Sequence, residues 1–543
     1  MGMNLRVPIY RTTILSIVFA FVIALDGVSQ SRPRPGTQPV EKEGDKKEAK
    51  DNFSVGNYKD AIPDFVALLR DDPKNTSYNF KLGVCYLETH GDKTLAIPYL
   101  ETALKDPKRP DETILHLGRA YMHAHQFDDA VVKFNEYKKL IEGNEDETKY
   151  VNLLIKQCGN AKKLVLHPIQ VRFENLGPDI NTPDPEYNPY IPPDEDFLVY
   201  TTRSKKNVGD LLDFDKQYPA DVFLATAKSN NNWRRGRSIS SSINTELTEE
   251  GVGLSADGNH LFIFIDNFNG FGDLWYSEKR GRSFGKADPL ERKTINSTAM
   301  ETSATMTNDQ QILIFSTDYE GGYGGQDLYI CRKLPNGAWG YPQNMGPKIN
   351  TEGDEQFPAL SYDQTMFYFA SNGPNSMGGF DIFSTKWMYG GTDFPEVKNM
   401  GYPLNSTAEE TTISFDETGR YAYMGLGRKD GYGDLDIYRV TIEDVEPRYT
   451  LIIGNVLNPD SSITGVRGRI NVTEKGSAQL YGTYIVKPSD GRFIMILPPG
   501  QYQAVVEMEG LEAFQEDIRI PDRGNYVPQM NRKFVVGGSP PGG

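Results

Sequence analysis

The sequence contains few of the residues that most often carry out chemistry. Its 543 residues include three cysteines and six histidines. Because Cys85, Cys158 and Cys331 stand in three different segments, a disulfide framework and a cysteine-based zinc site are excluded, and we expect three small buried apolar side chains. Basic residues are also in deficit. A total of 58 Lys and Arg against 74 Asp and Glu gives a net charge of −16, which disfavours nucleic acid as a partner.

Familiar catalytic motifs are missing as well. Neither His-Glu-x-x-His nor a phosphate loop is present, and the nearest text to a nucleophile elbow, GLSADG, has Asp257 where the second glycine should be. His167 and His260 stand alone in the later part of the chain, in predicted strands or turns. The sequence therefore predicts a protein that is not an enzyme and that has no catalytic residues, cofactor or metal site.

Long apolar runs are lacking except near the N-terminus. Arg6 and Arg11 precede the apolar run from Ile14 to Leu25, which is too short to span a bilayer comfortably and is followed by small and polar residues. This pattern predicts a signal peptide over residues 1–29, cleaved before Gln30, and export to the periplasm. No cysteine stands at the cleavage site to carry a lipid. Residues 30–51, rich in Pro and then in Lys and Glu, are predicted to be a disordered linker.

Residues 52–163 contain a repeat with a period near 34. A small residue recurs at steps of 35 and 34, and a Phe or Leu follows it four positions later. These residues are Ala61, Ala96 and Ala130, with Phe65, Leu100 and Phe134. The pattern resembles the tetratricopeptide repeat, in which helix pairs stack into an array with a concave groove for a protein partner. A rigid spacer is the alternative. His116, His123 and His125 do not predict a metal site, because residues two apart on a helix do not share a face.

A longer repeat of about 54 residues follows. Each unit opens with an Ile-Asn pair, or in the last unit a Leu-Asn pair, and contains a loop, usually glycine-rich, that ends in Asp. The opening residues are Asn181, Asn244, Asn296, Asn350 and Asn405. The loop acids, predicted to be structural, are Asp221, Asp273, Asp327, Asp381 and Asp436. Four short strands per unit predict a β-propeller of five blades over residues 164–445. The Ile-Asn and Gly-x-x-Asp-Leu-Tyr motifs resemble those of TolB-like propellers. Because the last unit lacks a strand that the first segment supplies, we expect the N-terminal strand to close the last blade.

One glutamate follows each opening Asn by five positions, at the start of the predicted innermost strand. These residues are Glu186, Glu249, Glu301, Glu355 and Glu410. They are candidates for a ring at the mouth of the channel that binds a cation or a basic peptide. The alternative is structural, with each buried carboxyl accepting hydrogen bonds from the next blade. Calcium in the acidic glycine loops and carbohydrate chemistry by the inward carboxyls are two further hypotheses.

The last predicted domain covers residues 448–533. Alternating strands and tight turns predict a small antiparallel β-sandwich, followed by a flexible tail over residues 534–543. Asp490-Gly491-x-Phe493 and Leu497-Pro498-x-Gly500-x-Tyr502 resemble the pattern of the carboxypeptidase regulatory-like domain, which implies a non-catalytic module.

The order of these modules resembles that of PorE-like envelope proteins of Bacteroidota, which are associated with type IX secretion and gliding. The resemblance implies a multidomain fold, with an all-α array, an all-β propeller and a β-sandwich, in a periplasmic scaffold associated with the outer membrane. The implied partners are envelope proteins, such as subunits of a secretion complex, and no direct membrane span is expected. Such relatives carry an OmpA-like C-terminal domain, which this sequence lacks, so attachment through a partner is expected. The alternative function is a glycan-binding or carbohydrate-active propeller.

Overall fold

The structure is a computed structural model. It describes residues 44–209, 212–213, 215–229, 232–266, 272–389, 394–443, 449–475, 480–520 and 527–537, so the predicted signal peptide lies outside the described residues. Two compact units account for them. The first holds the helices and most strands as far as Thr441, and the second holds the residues from Ile442 onward together with Pro193–Glu195 and Asp416–Tyr421.

Helices occupy the first part of the first unit. They are α1 (Lys46–Ser54), α2 (Tyr58–Asp71), α3 (Thr76–Glu88), α4 (Ala96–Leu104), α5 (Glu112–His123), α6 (Phe127–Leu140) and α7 (Glu145–Leu166), with a 3₁₀ turn over Lys93–Leu95. Glycines let paired helices approach closely. A Cβ on Gly83 would lie 2.5 Å from the side chain of Leu100, and one on Gly118 would lie 2.6 Å from Phe134. The predicted tetratricopeptide-like packing of small residues against large ones is therefore present.

The prediction of a disordered linker over residues 30–51 is wrong at its C-terminal end, because α1 already begins at Lys46. The Asp45 side chain accepts hydrogen bonds from the Lys47 and Glu48 amides at 2.8 and 3.0 Å. This cap satisfies two amides of the first turn. Ala49 is fully buried in the cluster that includes Ala61 and Phe65. Capping and burial thus make helical a segment whose composition alone indicates a solvated chain.

Five sheets follow within the described part of the first unit, and we number them in chain order. The fifth includes the earliest strand, β1 (Val171–Asn175). Sheet 1 consists of β2 (Glu186–Tyr190), β3 (Phe197–Thr202), β4 (Asp221–Ser229), β5 (Asn232–Trp233) and β6 (Arg237–Ser238). Sheet 2 consists of β7 (Thr248–Leu254), β8 (His260–Asp266), β9 (Gly272–Arg280), β10 (Ser283–Phe284) and β11 (Asp288–Pro289). Sheet 3 consists of β12 (Glu301–Met306), β13 (Ile312–Thr317), β14 (Asp327–Arg332) and β15 (Gln343–Asn344).

The remaining two sheets complete the set. Sheet 4 consists of β16 (Glu355–Leu360), β17 (Met366–Ser371), β18 (Asp381–Lys386) and β19 (Lys398–Asn399). Sheet 5 consists of β20 (Ser414–Phe415), β21 (Tyr421–Leu426), β22 (Asp436–Ile442) and β1, in the order β1-β22-β21-β20. The second strands of the sheets are almost wholly buried, as in β8 and β13. Strands covered on both faces read as continuous apolar runs, which explains their sequences.

Hydrogen bonds connect neighbouring sheets in a closed cycle. The Glu249 amide joins sheet 2 to Ala220, before β4, at 2.9 Å, and the Thr305 hydroxyl joins sheet 3 to Leu254 of sheet 2 at 2.9 Å. Three further amide-to-carbonyl bonds complete the cycle: Glu355 to Gln326 at 2.6 Å, Glu410 to Phe380 at 2.8 Å, and Glu186 to Leu435 at 2.8 Å. The last of these connects the first sheet to the fifth. The β region is therefore propeller-like, as predicted.

The Asn that opens each repeat unit pairs with the third strand of the preceding one. Asn350, 1% exposed, accepts the Leu328 N–H at 2.8 Å and donates to the Leu328 carbonyl at 2.9 Å. The four other opening residues make the same pair of bonds. The fourth strand β15 is only two residues long, so a side chain completes the pairing of β14.

The second unit contains seven described strands. They are β23 (Thr450–Leu457), β24 (Gly468–Glu474), β25 (Leu480–Val486), β26 (Arg492–Leu497), β27 (Gly500–Met508), β28 (Phe514–Ile520) and β29 (Gln529–Val535). They form sheets in the orders β26-β23-β29 and β25-β24-β27-β28, and both contribute to one apolar core. The expected wholly antiparallel arrangement is wrong in one respect, because β29 pairs with β23 in parallel. β29 also extends into the predicted tail, since Phe534 fills the core.

Within the described ranges, no helix combines the length and the apolar character needed to cross a membrane.

Asn350→Ala tests the role of the opening Asn. The substitution leaves the buried Leu328 amide without its acceptor, so we expect a loss of about 1 to 3 kcal/mol in the free energy of unfolding, measured by urea denaturation. Asn336→Ala, at an exposed turn, should change stability by less than about 0.5 kcal/mol. Equal effects of the two substitutions would contradict the assignment.

Candidate functional site

The five predicted glutamates lie at the contacts between sheets and are almost completely buried, with exposures of 0 to 4%. Glu186, Glu301 and Glu355 begin the innermost strands of their sheets, and Glu249 is the second residue of β7. Glu410 differs, because it precedes β20 by four residues and belongs to no described strand. At these exposures the carboxyl groups face the protein interior.

Each carboxyl is held by the residue four positions before it, which is Thr or Ser in every unit. Thr351 donates its amide and its hydroxyl to the two Glu355 oxygens, both at 2.7 Å, and Ser371 donates a third bond at 2.6 Å. The same amide and hydroxyl pair is made by Thr182, Thr245, Ser297 and Ser406. The prediction that the next blade donates hydrogen bonds to each glutamate is therefore wrong, because these donors belong to the same repeat unit as the glutamate.

The sequence contains a signal for this arrangement. In all five units the opening Asn is followed directly by Thr or Ser, and Glu stands four positions later. The hydroxyl of Thr or Ser can donate a hydrogen bond to a carboxylate four residues later in the chain. The Thr or Ser after each opening Asn therefore predicts the hydrogen bonds to the Glu. The positions of Asn and Glu alone do not predict them.

The loop acids begin the third strands, as at Asp221, Asp327, Asp381 and Asp436, and Asp273 is the second residue of β9. In sheet 3 the Asp327 carboxylate accepts the Tyr323 and Gly324 amides of the glycine loop and the Asn344 side chain at 2.7 Å. In sheets 4 and 5, Met377 and Tyr432 donate the equivalent amide, and Asn399 and Asn175 the equivalent side-chain bond. In sheet 1, Asp221 accepts the Val208 amide at 2.9 Å.

Each glutamate carries a raised pKa. Burial raises the pKa of Glu186, Glu249, Glu301, Glu355 and Glu410 to about 7. The hydrogen bonds from Thr and Ser lower these pKa values and so partly offset the effect of burial. In the first four cases the loop Asp of the preceding unit adds to the shift. Burial also raises the pKa of Asp221 to about 6 and holds that of Asp381 well above its usual value. The structure thus brings the predicted residues together as Glu and Asp pairs, one at each contact.

The Glu of each pair is held in nearly the same way at every contact. Repetition of one hydrogen-bonded arrangement around the cycle favours a structural role for these buried carboxyls. The acids of the last glycine loop are also separated by their partners. Asp430 accepts from the Tyr438 hydroxyl at 3.1 Å, Asp434 contacts His90 at 2.6 Å, and Asp436 accepts the Tyr432 amide. Among the described residues, no group of three or more His, Cys, Asp or Glu has the geometry to hold a metal ion.

A second set of contacts lies where the helices meet the loops of sheets 4 and 5, and we call this contact the docking seam. On α7, Gln157 donates to the Asn372 carbonyl at 3.0 Å and to the Ser376 hydroxyl at 2.8 Å. Asn160 donates to the carbonyls of Pro374 and Ser376 at 2.8 and 3.1 Å. The docking seam thus satisfies the backbone of a glycine loop with helical side chains.

The glycine loop of sheet 4 also inserts an apolar side chain among the helices. Met377 is fully buried in the cluster formed by α5, α6 and α7, which includes Phe127, Phe134 and Cys158. In sheets 3 and 5 the equivalent residues are Tyr323 and Tyr432, which are about half exposed. The sequence carries no evident signal for this insertion, because a Met within a glycine-rich loop is unremarkable.

The loop of sheet 5 makes the polar part of the docking seam. Asp434 contacts His90 at 2.6 Å and Lys59 at 3.6 Å, and Lys429 contacts Asp92 at 2.8 Å. Burial alone would raise the pKa of Asp434, but His90 and Lys59 hold it below its usual value. The backbone of this loop approaches the backbone after α3 so closely that a Cβ on Gly427 would lie 2.0 Å from the His90 carbonyl oxygen.

The remaining candidates are scattered. His116 lies 3.3 Å from Arg119, His123 lies 3.0 Å from Thr407 in the docking seam, and the His125 ring meets Tyr402. The three histidines therefore have different partners. Burial holds the pKa of His123 well below its usual value. The three cysteines are buried and unpaired, in separate parts of the fold.

A cavity of about 70 Å³ lies in the docking seam. Its lining includes His90, Lys93, Glu409, Glu410 and Arg428. A space of this size admits a few water molecules, whereas small-molecule sites are several times larger.

Comparison with known proteins identifies a helical repeat in the first part of the chain. A tetratricopeptide repeat family model matches residues 46–112. Comparison with the curated proteins gives no match. Among solved structures the chain is similar to TolB from Acinetobacter baumannii, with a TM-score of 0.30 and 15% identity over 48% of this chain and 56% of that one. It thus spans little more than half of the length of TolB.

Glycosidase structures are also similar to the chain. Xylan β-1,4-xylosidase from Bacillus halodurans C-125 gives a TM-score of 0.33 and 13% identity over 67% of this chain and 95% of that one. α-L-Arabinofuranosidase from Lactobacillus brevis gives a TM-score of 0.27 and 11% identity over 53% of this chain and 94% of that one. Because these TM-scores are below 0.5, the likenesses carry no argument about function.

Glu355→Gln tests the buried pairs through pH. The unfolded chain ionises Glu355 near pH 4.5, but the folded chain does so only near pH 7. The stability that the neutral carboxyl contributes is therefore fully present below about pH 4.5 and is lost as pH rises through about 7. Gln does not titrate, so the melting temperature of Glu355→Gln relative to wild type should rise between about pH 5 and pH 8. The corresponding free-energy change is on the order of 2 kcal/mol. Glu352→Gln, at an exposed position nearby, is the matched control, and an identical pH profile for both variants would contradict the assignment.

Met377→Asp tests the docking seam. A carboxylate placed in the apolar cluster of α5 to α7 should release the helices from the loop, because an unpaired buried charge costs several kcal/mol. Calorimetry should then resolve a separate, lower transition for the helices, and protease should cut between Leu166 and Val171. Met388→Asp, at a half-exposed position in the same repeat, should melt as wild type does. A single unchanged transition for Met377→Asp would refute the role of the docking seam.

Proposed function

We propose that this protein is a non-enzymatic periplasmic scaffold of an envelope complex, of the kind found in type IX secretion or gliding machinery. The helical array and the propeller would each hold a protein partner. The observation that carries this proposal is the docking seam. It fixes the array to the β region through α5, α6, α7 and the ends of other helices, and leaves Lys50 of α1 and Ser77 of α3 exposed to solvent.

A scaffold of this kind gains from rigidity. Partners held on two surfaces keep a fixed separation only if the surfaces do not move relative to each other. Apolar insertion of Met377, paired charges at Asp434 and the close approach at Gly427 all restrict such movement. Tetratricopeptide repeats generally mediate contacts between proteins, which supports a partner on the array.

The finer architecture belongs to the same proposal. We take the five sheets as the blades of one ring, in which β1 completes the last blade, and the second unit as a regulatory-like β-sandwich. The strand order β1-β22-β21-β20 and the Glu186 bond to Leu435 support the ring. The apolar core shared by two sheets supports the sandwich. Export rests on the N-terminal apolar run of the sequence alone.

Crosslinking in intact cells tests the scaffold. Cells that produce the full-length tagged chain are treated with an amine-reactive crosslinker, and the purified products are mapped by mass spectrometry. We expect crosslinks from lysines of the array and of the propeller to other envelope proteins. Crosslinks confined to this chain itself would contradict the proposal.

The carbohydrate alternative is separated by a second assay. The scaffold predicts that the wild-type protein releases no sugar from cell-envelope or plant polysaccharides, and that Glu301→Gln and Glu355→Gln leave its glycan-array profile unchanged. Sugar release by the wild type that either substitution abolishes would favour the alternative.

A further inference from the structure

Neighbouring side chains of α1, α3 and α5 form a row of basic groups in an acidic protein. Lys50 of α1, Lys81 of α3, and His116 and Arg119 of α5 form this row, which we call the basic stripe. Burial lowers the pKa of His116 to about 4, so the positive charge of the stripe comes from Lys50, Lys81 and Arg119. Lys81 and His116 are 35 residues apart, the step of the helical repeat, so they occupy equivalent positions on successive helices. The basic stripe contrasts with the net charge of −16 for the whole chain.

The end of the basic stripe on α1 and α3 holds two uncompensated charges. The Lys81 ammonium lies 4.9 Å from the centre of the Phe53 ring, and Lys50 precedes Phe53 by three residues, on the same side of α1. Burial and the nearby charge of Lys50 lower the pKa of Lys81. Within the described residues, neither lysine forms an ion pair. Two like charges thus stand beside an aromatic ring without a neutralising partner.

The end of the basic stripe on α5 is partly neutralised. Arg119 contacts Glu88 at 2.7 Å and His116 at 3.3 Å. The His116 ring meets Phe80 edge-on at 5.7 Å. Aromatic and basic groups therefore alternate across three helices, and the surplus of positive charge lies at the α1 and α3 end.

Solvent reaches this surface. Lys50 and Ser77 are exposed, and Phe53, Phe80 and Lys81 are partly exposed. The docking seam takes its contacts from α5, α6, α7 and the ends of other helices, and among the described residues no hydrogen bond or ion pair joins it to Lys50, Ser77 or Lys81. On α1 the neighbouring Asn52 accepts a hydrogen bond from Lys216 of the β region at 2.7 Å.

We propose that the basic stripe binds an acidic segment of a protein partner that also carries aromatic or aliphatic residues. Carboxylates on the partner would neutralise Lys50 and Lys81, and its apolar side chains would cover Phe53 and Phe80. Opposite charge across the contact would speed association and exclude basic segments. This inference rests on the proposed scaffold function, since it specifies the partner of the helical groove.

Fluorescence anisotropy with defined peptides and the full-length protein tests the proposal. The probe is a labelled peptide of about twelve residues composed of Glu, Asp, Phe and Leu, a length suited to a groove of three helices. A second peptide replaces every acidic residue by Lys, and a single-stranded oligonucleotide serves as a polyanion without apolar side chains. Measurements at low and at high salt report the charge dependence.

Two double variants separate the basic stripe from general charge. Lys50→Glu with Lys81→Glu should weaken binding of the acidic peptide at least about tenfold, the size expected for two interface charges. Lys108→Glu with Lys156→Glu makes the same change in net charge at exposed positions elsewhere on the array and should bind as wild type does. Lys50→Gln with Lys81→Gln removes the charges without reversing them and should give an intermediate loss. Circular dichroism of each variant checks that the helices are intact.

The outcomes decide the proposal. Preference for the acidic over the basic peptide, lost in the stripe variants alone, supports it. It is overturned if the acidic peptide binds no better than the basic one, if both double variants behave alike, or if the oligonucleotide binds as tightly as the peptide. Failure here together with envelope crosslinks on the propeller would leave the scaffold function standing. Binding of the acidic peptide without any crosslink to an envelope protein would instead contradict the proposed scaffold function.

Discussion

The contact between successive sheets depends on a buried glutamate held by a hydroxyl and an amide of its own repeat unit. The same residue donates its backbone amide to the preceding unit in four of the five cases. One residue therefore fixes both the start of its strand and the distance to the neighbouring sheet. Because the last such bond joins Glu186 to Leu435, a local motif repeated along the chain becomes a closed architecture. Burying five carboxyls is costly, and the hydrogen bonds from Thr and Ser offset that cost at each contact.

Much of this could be predicted from the sequence because the repeats are regular. The Asn, Glu and Asp positions mark the units, and the loop acids do begin the third strands or stand next to their first residue. The tetratricopeptide-like helices and the propeller-like β region are confirmed in outline. Periodicity reveals these features since each of them recurs with a fixed spacing.

Features that occur once were not predictable in the same way. Met377 enters the helical cluster in only one unit, and nothing in its neighbourhood distinguishes it from the tyrosines at the equivalent positions. The start of α1 was hidden by a composition typical of linkers, because the Asp45 cap and the burial of Ala49 outweigh composition. The parallel pairing of β29 depends on where a distant strand returns, which local alternation cannot reveal. Unique tertiary contacts decide these cases.

The position of β1 also constrains how the chain can fold. Asn175 at the end of β1 bonds to Asp436, a residue 261 positions later. Contacts between such distant residues are slow to form, because a long loop must close before they contribute any stability. The edge of β22 therefore stays open until β1, made hundreds of residues earlier, returns to cover it. During synthesis the helices can form first, but the cycle of hydrogen-bonded sheets cannot close until β22 has been made. An unpaired strand edge in that interval is exposed to aggregation.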